Sequence, residues 1–227
     1  MMNNFCISSE IYNIELNDIL VLQDADLPFI TKDKVVILLR KNHPDTLLCG
    51  RDYIEQAEKN NQKYIGARIA FIPEMKPYDC FSVFIRPLRK KYQYWSSNIY
   101  HMNPLEIRKM KIERSFRNKE NAFTFTNPIY YQTYEERMAR YEQLYNSIKK
   151  GYDDNFPIEI MPLRMLGVKD TVNNGHHRLG IAIECGLNRV AINFKVIGQA
   201  PHFLRPICKF CADITMKLKQ HKNSNLL

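Results

Sequence analysis

The chain has 227 residues, 45% of them hydrophobic and 25% charged, enough for one large or two small packed domains. The formal net charge of +9 and a pI of about 9.2 point to an anionic partner, whether nucleic acid, nucleotide or acidic surface, without choosing among them. No apolar run approaches the ~20 residues of a membrane span, and Met1 to Glu10 lacks the apolar stretch of a signal peptide. A cytoplasmic location with no membrane partner is therefore expected. The six cysteines, Cys6, Cys49, Cys80, Cys185, Cys208 and Cys211, are scattered and read as thiols rather than a disulfide framework.

In chain order, residues 11–30 read as one or two short strands. Val35 to Arg40 is an apolar run of strand length, and Leu47 to Gly50 is a strand end. Arg51 to Asn60 is expected as a helix, with Tyr53, Ile54 and Ala57 on one face. Tyr64 to Ile72 returns as a strand that Pro73 ends, and Cys80 to Arg86 is a further strand. Between Arg86 and Lys119 ten Lys/Arg accumulate, interleaved with Tyr92, Tyr94, Trp95 and Tyr100. Within this stretch Pro104 is placed to open a helix.

A stronger helix begins at Thr133, where Glu136 three residues on completes a capping box. Met138, Tyr141, Leu144, Tyr145 and Ile148 recur at helical spacing up to Gly151. Phe156 to Met161 is a strand, and Asp170 to Val172 another. It leads into the turn Asn173-Asn174-Gly175-His176-His177-Arg178, followed by a helix from Leu179 to Cys185 and a strand from Arg189 to Val196. A last helix is expected over Ile207 to Gln220.

The turn is the most informative segment. A helix N-terminus offers unpaired N–H groups and the positive end of the macrodipole, so a basic triplet there suits a phosphate or carboxylate. The first half echoes it. With Gly50 set against Gly175, Ile54 meets Leu179, Ala57 meets Ala182, Asn61 meets Gly186, Ile65 meets Val190 and Ile69 meets Phe194. The first copy reads as degenerate, because Tyr53 stands where Arg178 does. The second is expected to carry the chemistry.

The order of these pieces over about residues 133–197 resembles the ParB N-terminal/sulfiredoxin-like superfamily. The matching parts are the helix ending Leu144 to Gly151, the strand Pro157 to Ile160, the Asn-Asn-Gly-His-His-Arg turn, the helix Leu179 to Gly186 and the strand Val190 to Phe194. In that family the turn holds nucleotide phosphates, for uses that include CTP-controlled clamping on DNA, repair of sulfinic cysteine, phosphorylation of free serine and nucleic-acid cleavage. The resemblance implies a phosphate cradle at Asn174, Gly175, His176, His177 and Arg178, with Arg178 forking onto phosphate oxygens. Two departures narrow the chemistry. His176 replaces the cysteine that sulfinic repair requires, and Asn174 stands where many members have aspartate. The roughly thirty residues after Val196 are too few for the helix-turn-helix domain of DNA-partition members.

The resemblance thus implies an α+β fold, a ParB/sulfiredoxin-like mixed sheet with flanking helices, and the internal echo adds the expectation of a degenerate second copy of the strand–turn–helix–strand unit at the N-terminus. Three regions are expected: 1–85, 86–132 as a basic aromatic insertion or linker, and 133–227. The expected function is binding of ATP or another nucleoside triphosphate with magnesium, leading to phosphoryl transfer to a small molecule. His177, Glu135 and Asp170 are the catalytic candidates, with Glu136 and Glu184 as further acids. The alternative is a ParB-like nucleic-acid-binding protein or nuclease using Arg86 to Lys119, where charge and stacking combine. Cys208 and Cys211 with His202 and His221 offer zinc-type ligands, but the spacings match no common finger and no metal centre is expected.

Overall fold

The computed structural model describes residues 6–8, 10–26, 34–71, 93–109, 134–162 and 170–197. They form a mixed α+β fold with an eleven-stranded mixed sheet and five helices. A first unit runs β1 (Cys6–Ile7), β2 (Tyr12–Glu15), α1 (Leu16–Leu20), β3 (Gln23–Asp24), β4 (Val36–Leu39), β5 (Thr46–Cys49), α2 (Arg51–Lys59) and β6 (Tyr64–Phe71). A second runs β7 (Gln93–Trp95), β8 (Tyr100–Met102), α3 (Pro104–Lys109), α4 (Tyr134–Lys150), β9 (Ile158–Met161), β10 (Thr171–Asn174), α5 (His176–Glu184) and β11 (Val190–Ile197). The sheet order is β10-β9-β11-β8-β2-β6-β4-β5-β3, with β1 also on β6 and β7 also on β11.

Apart from β3, which adds parallel to β5 in the first unit, both units use one pairing scheme. β4 lies antiparallel to β5 and parallel to β6, as β9 does to β10 and β11. β2 and β1 run antiparallel to β6, as β8 and β7 do to β11. Single bonds correspond as well. At the end of α2, Asn61 N donates to Glu58 O and Gln62 N to Ala57 O; at the end of α5, Gly186 N donates to Ile183 O and Leu187 N to Ala182 O. Ser8 N donates to Ile69 O, while its hydroxyl accepts from Ile69 N and donates to Glu10 O, and Ser96 does the same with Phe194 and Asn98 O. At the seam between β2 and β8, Ile14 faces Met102, and the two are equivalent: Ile14 pairs with Ile65 of β6 as Met102 pairs with Val190 of β11.

Burial explains why these segments adopt these forms. Ile54 and Ala57 on α2, and Leu179 and Ala182 on α5, are the buried stripe of each helix, and each large side chain fully buried contributes about 1.5–3 kcal/mol. The centre of the core is shared. The Tyr12 ring meets Phe194 edge-on at 4.8 Å, and Tyr100 lies 5.5 Å from the same ring. α4 carries Glu135 and Glu136 in its first turn and Lys149 and Lys150 in its last, the charge order that the helix dipole favours.

Several elements differ from the sequence reading. Leu16–Leu20 is a helix rather than strand, because Leu16 and Ile19 are buried at helical spacing. Residues 93–109, taken as part of an insertion or linker, supply β7 and β8 to the main sheet and the helix α3. The strand before the glycine turn extends through Asn174, and the helix starts at His176 rather than Leu179. Thr133 of the capping box, the strand at Cys80 to Arg86, the helix at Ile207 to Gln220 and the ligands Cys208, Cys211, His202 and His221 lie outside the described residues. Among the described residues no helix is long and apolar enough to cross a membrane.

Candidate anion-binding site

The site is built where β10 meets α5. Gly175 is the N-cap of α5 with φ 89 and ψ 15, a left-handed conformation that glycine adopts without a Cβ penalty. Space is tight for a side chain too, since a Cβ there would lie 3.1 Å from Ile158 Cα. Leu179 N closes the first helical bond to Gly175 O at 2.8 Å. Asn174 Oδ1 accepts from the Gly175 amide at 2.8 Å, so this side-chain amide stabilises the turn itself. The first turn of α5 contains His176, His177 and Arg178 and no acid. The dipole and the Arg178 guanidinium therefore give this helix end positive charge.

The turn opens onto a cavity of about 540 Å³. Leu144, Ser147 and Ile148 of α4 form one wall, Tyr152, Asp153 and Phe156 of the following loop another, and Asn174 to Arg178 the floor. Arg178 Nη1 donates to the Phe156 carbonyl, fixing the guanidinium against the loop. Burial pushes the Tyr152 phenol up to about 12 despite the opposing charge of Arg178, so it remains a hydroxyl donor at neutral pH. Asp153 is the acid in the lining, and its Oδ1 accepts from the backbone and side-chain nitrogens of Asn155 at 2.9 Å.

The proposed cradle residues Asn174, Gly175, His176, His177 and Arg178 thus line one cavity, while the proposed catalytic residues separate. His177 is in the lining. Glu135 is exposed in the first turn of α4, outside the lining, and Glu136 is exposed beside it. Asp170 is 1% exposed and directed into the core, where its Oδ2 accepts from Tyr12 Oη at 2.5 Å and from the Glu10 amide at 3.1 Å. Glu184 accepts from Tyr141 Oη at 2.9 Å at the far end of α5. Sequence reasoning passed over Ser147, Tyr152, Asp153 and Phe156. The available signal was an acid and an aromatic in the short connection between α4 and β9, directly beside the strand that backs the turn.

The first unit's turn has the same backbone but other contents. Gly50 caps α2 with φ 107 and ψ 19. Arg51, at the position of His176, donates to Asp24 Oδ1 through Nε and Nη2 at 3.1 and 2.8 Å, and to Leu22 O at 2.6 Å. Asp52 adds negative charge to that first turn.

A second cluster lies near the seam. His101 is bracketed by Asp18 on Nδ1 and Asp154 on Nε2, each at 3.1 Å. Burial pulls its pKa down, but the bond and charge of Asp18, with Asp154, outweigh that and raise it above the ordinary 6.5. Glu15, Asp18 and His101 come close enough to share a cation. However, Lys63 and Arg189 already pair with Glu15, and Asp18 uses both oxygens on His101. The arrangement reads as an ion-pair network.

Of the aromatics expected in a nucleic-acid groove, Tyr94 and Tyr100 are buried in the core and Trp95 is 41% exposed. Lys195 Nζ sits 4.9 Å from the Trp95 ring centre. No family model, curated protein or solved structure matches the chain.

Proposed function

We propose that the protein binds the phosphate groups of a nucleotide at the Gly175–Arg178 turn. The observation that carries this reading is the left-handed Gly175 opening a helix whose first turn is His-His-Arg, set in the floor of a cavity. Backbone N–H groups, the dipole and a forked guanidinium all favour phosphate there. The ParB/sulfiredoxin resemblance of residues 133–197 supports the same ligand, and the matched pairing of the two units supports a degenerate first copy of that module. ATP or another nucleoside triphosphate with magnesium is the proposed cofactor.

The reaction proposed is phosphoryl transfer to a small molecule. Positioning and charge stabilisation dominate such chemistry. His176, His177 and Arg178 would hold the phosphates, His177 is placed to exchange a proton, and Asp153 is the lining acid available to a metal or an acceptor hydroxyl. Glu135 and Asp170 have less support as catalytic groups, because one is outside the cavity and the other is committed to Tyr12. The nucleic-acid reading retains the net charge and Trp95 with Lys195 in its favour.

Titration calorimetry with ATP, CTP and pyrophosphate, with and without magnesium, tests the proposal. Micromolar to millimolar binding that Arg178→Ala weakens by at least about tenfold is the expected result. Absence of heat for every ligand overturns it.

A further inference from the structure

The two units exchange one contact. Tyr12, on β2 of the first unit, donates to Asp170 of the second at 2.5 Å, and Tyr100, on β8 of the second, donates to Asp45 of the first at 2.8 Å. The flanking amides follow the same rule: Glu10 N donates to Asp170 Oδ2, and Asn98 N to Asp45 Oδ2. Tyr12 and Tyr100 are both fully buried, and Asp45 and Asp170 are 3% and 1% exposed. With Ile14 facing Met102 across the seam, this is the reciprocal pattern of a two-fold interface, where one patch meets its own equivalent. Here it is formed within one chain.

Each aspartate stands at the same place in its unit. Asp45 directly precedes β5, which Gly50 follows, and Asp170 directly precedes β10, which Gly175 follows. A buried carboxylate without its donors is costly, so each tyrosine fixes the start of the strand that carries the other unit's glycine turn. Only one of those turns opens onto the His-His-Arg cavity. We infer that the chain is a fused two-fold pair in which the first unit has become the support of the second unit's anion cradle, with Tyr12 as the positioning residue acting through Asp170. This rests on the phosphate reading of Gly175–Arg178 for its functional part. The mechanical part, the fixing of β10 by Tyr12, stands on the contacts alone.

The symmetry supplies its own control. Tyr12→Phe and Tyr100→Phe delete the same hydroxyl from equivalent buried places. Both are expected to lower the melting temperature by about 3–10 °C. In hydrogen exchange, Tyr12→Phe should accelerate the amides of residues 173–175 about tenfold and leave 48–50 unchanged, with the reverse for Tyr100→Phe. Pyrophosphate affinity should fall about three- to thirtyfold in Tyr12→Phe and stay within about twofold of the parent in Tyr100→Phe. Asp170→Asn, which keeps an acceptor for Tyr12, should give the milder version of the Tyr12→Phe pattern if that variant folds poorly.

Equal loss of affinity in both tyrosine variants, or loss in neither, overturns the inference. So does exchange that spreads evenly over both turns. If the parent protein binds neither pyrophosphate nor nucleotide, the phosphate reading fails. The exchange pattern then decides the positioning: confinement to 173–175 upholds it and uniform acceleration removes it.

Discussion

Gly50 and Gly175 share a left-handed backbone, at φ 107 and 89, and each opens a nine-residue helix. Beyond the glycine the two turns diverge. The first continues Arg51-Asp52-Tyr53, and Arg51 is held by the chain's own Asp24. The second continues His176-His177-Arg178 beside a cavity. Backbone geometry and ligand chemistry are therefore separable: the same turn serves as a structural corner in one unit and as a candidate anion site in the other, and the side chains after the glycine, with the wall supplied by α4 and its following loop, make the difference.

Exchanging the glycines should strike the structural corner hardest. A Cβ at Gly50 would lie 2.0 Å from the Lys34 carbonyl oxygen, against 3.1 Å from Ile158 Cα at Gly175. Gly50→Ala is expected to cost more than ~4 kcal/mol or to prevent folding, and Gly175→Ala about 1–3 kcal/mol. Equal midpoints in urea would break the ranking. The helix anchors should respond alike. Ile54→Ala and Leu179→Ala each remove a fully buried side chain and should each cost about 2–5 kcal/mol by denaturant titration. A large inequality would mean that one unit contributes far less to the common core.

The next contrast is functional. Arg178→Ala should weaken pyrophosphate binding by at least about tenfold, since charge-assisted hydrogen bonds are worth ~1.5–3 kcal/mol. Tyr53→Ala, at the equivalent place, should leave binding within about twofold. If Tyr53→Ala weakens binding as much, the anion is bound elsewhere. Smaller still is the pH effect of His101, whose place in the first unit is held by Asn13. Its folded pKa is raised above 6.5, so its contribution is complete below that value and is lost as pH rises through the raised one. Melting temperatures measured upward from pH 6 should show that decline, and His101→Asn should flatten it. The smallest effect is expected of Arg51→Ala, which removes a solvent-exposed pair worth about 0–1 kcal/mol.

The sequence carried the local elements well and their assembly poorly. α2, β6, α4 and β11 were legible because their apolar residues recur at one period and their ends carry turn residues. The spacing of Gly50 and Gly175, with Ile54 against Leu179 and Ala57 against Ala182, pointed to two similar units. What the spacing could not carry was the pairing of Tyr12 with Asp170 and of Tyr100 with Asp45. Those contacts join residues far apart in sequence, and no local pattern encodes them. For the same reason Asp170, an acid beside the turn, read as a catalytic group although it faces inward. Tyr100 read as a surface aromatic because basic residues surround it in sequence, while its strand is central in the sheet. Asp153 escaped notice because the cavity wall it joins is assembled from a helix end, a loop and a distant turn.

The exchanged tyrosines have one more consequence. Each unit contains a buried carboxylate that is satisfied by the other, and a single apolar cluster runs through both. Neither unit can open without stranding a charge in its neighbour, so melting of one should drag the other with it. Although its architecture is bipartite, the chain should show a single calorimetric peak, with van't Hoff and calorimetric enthalpies in agreement.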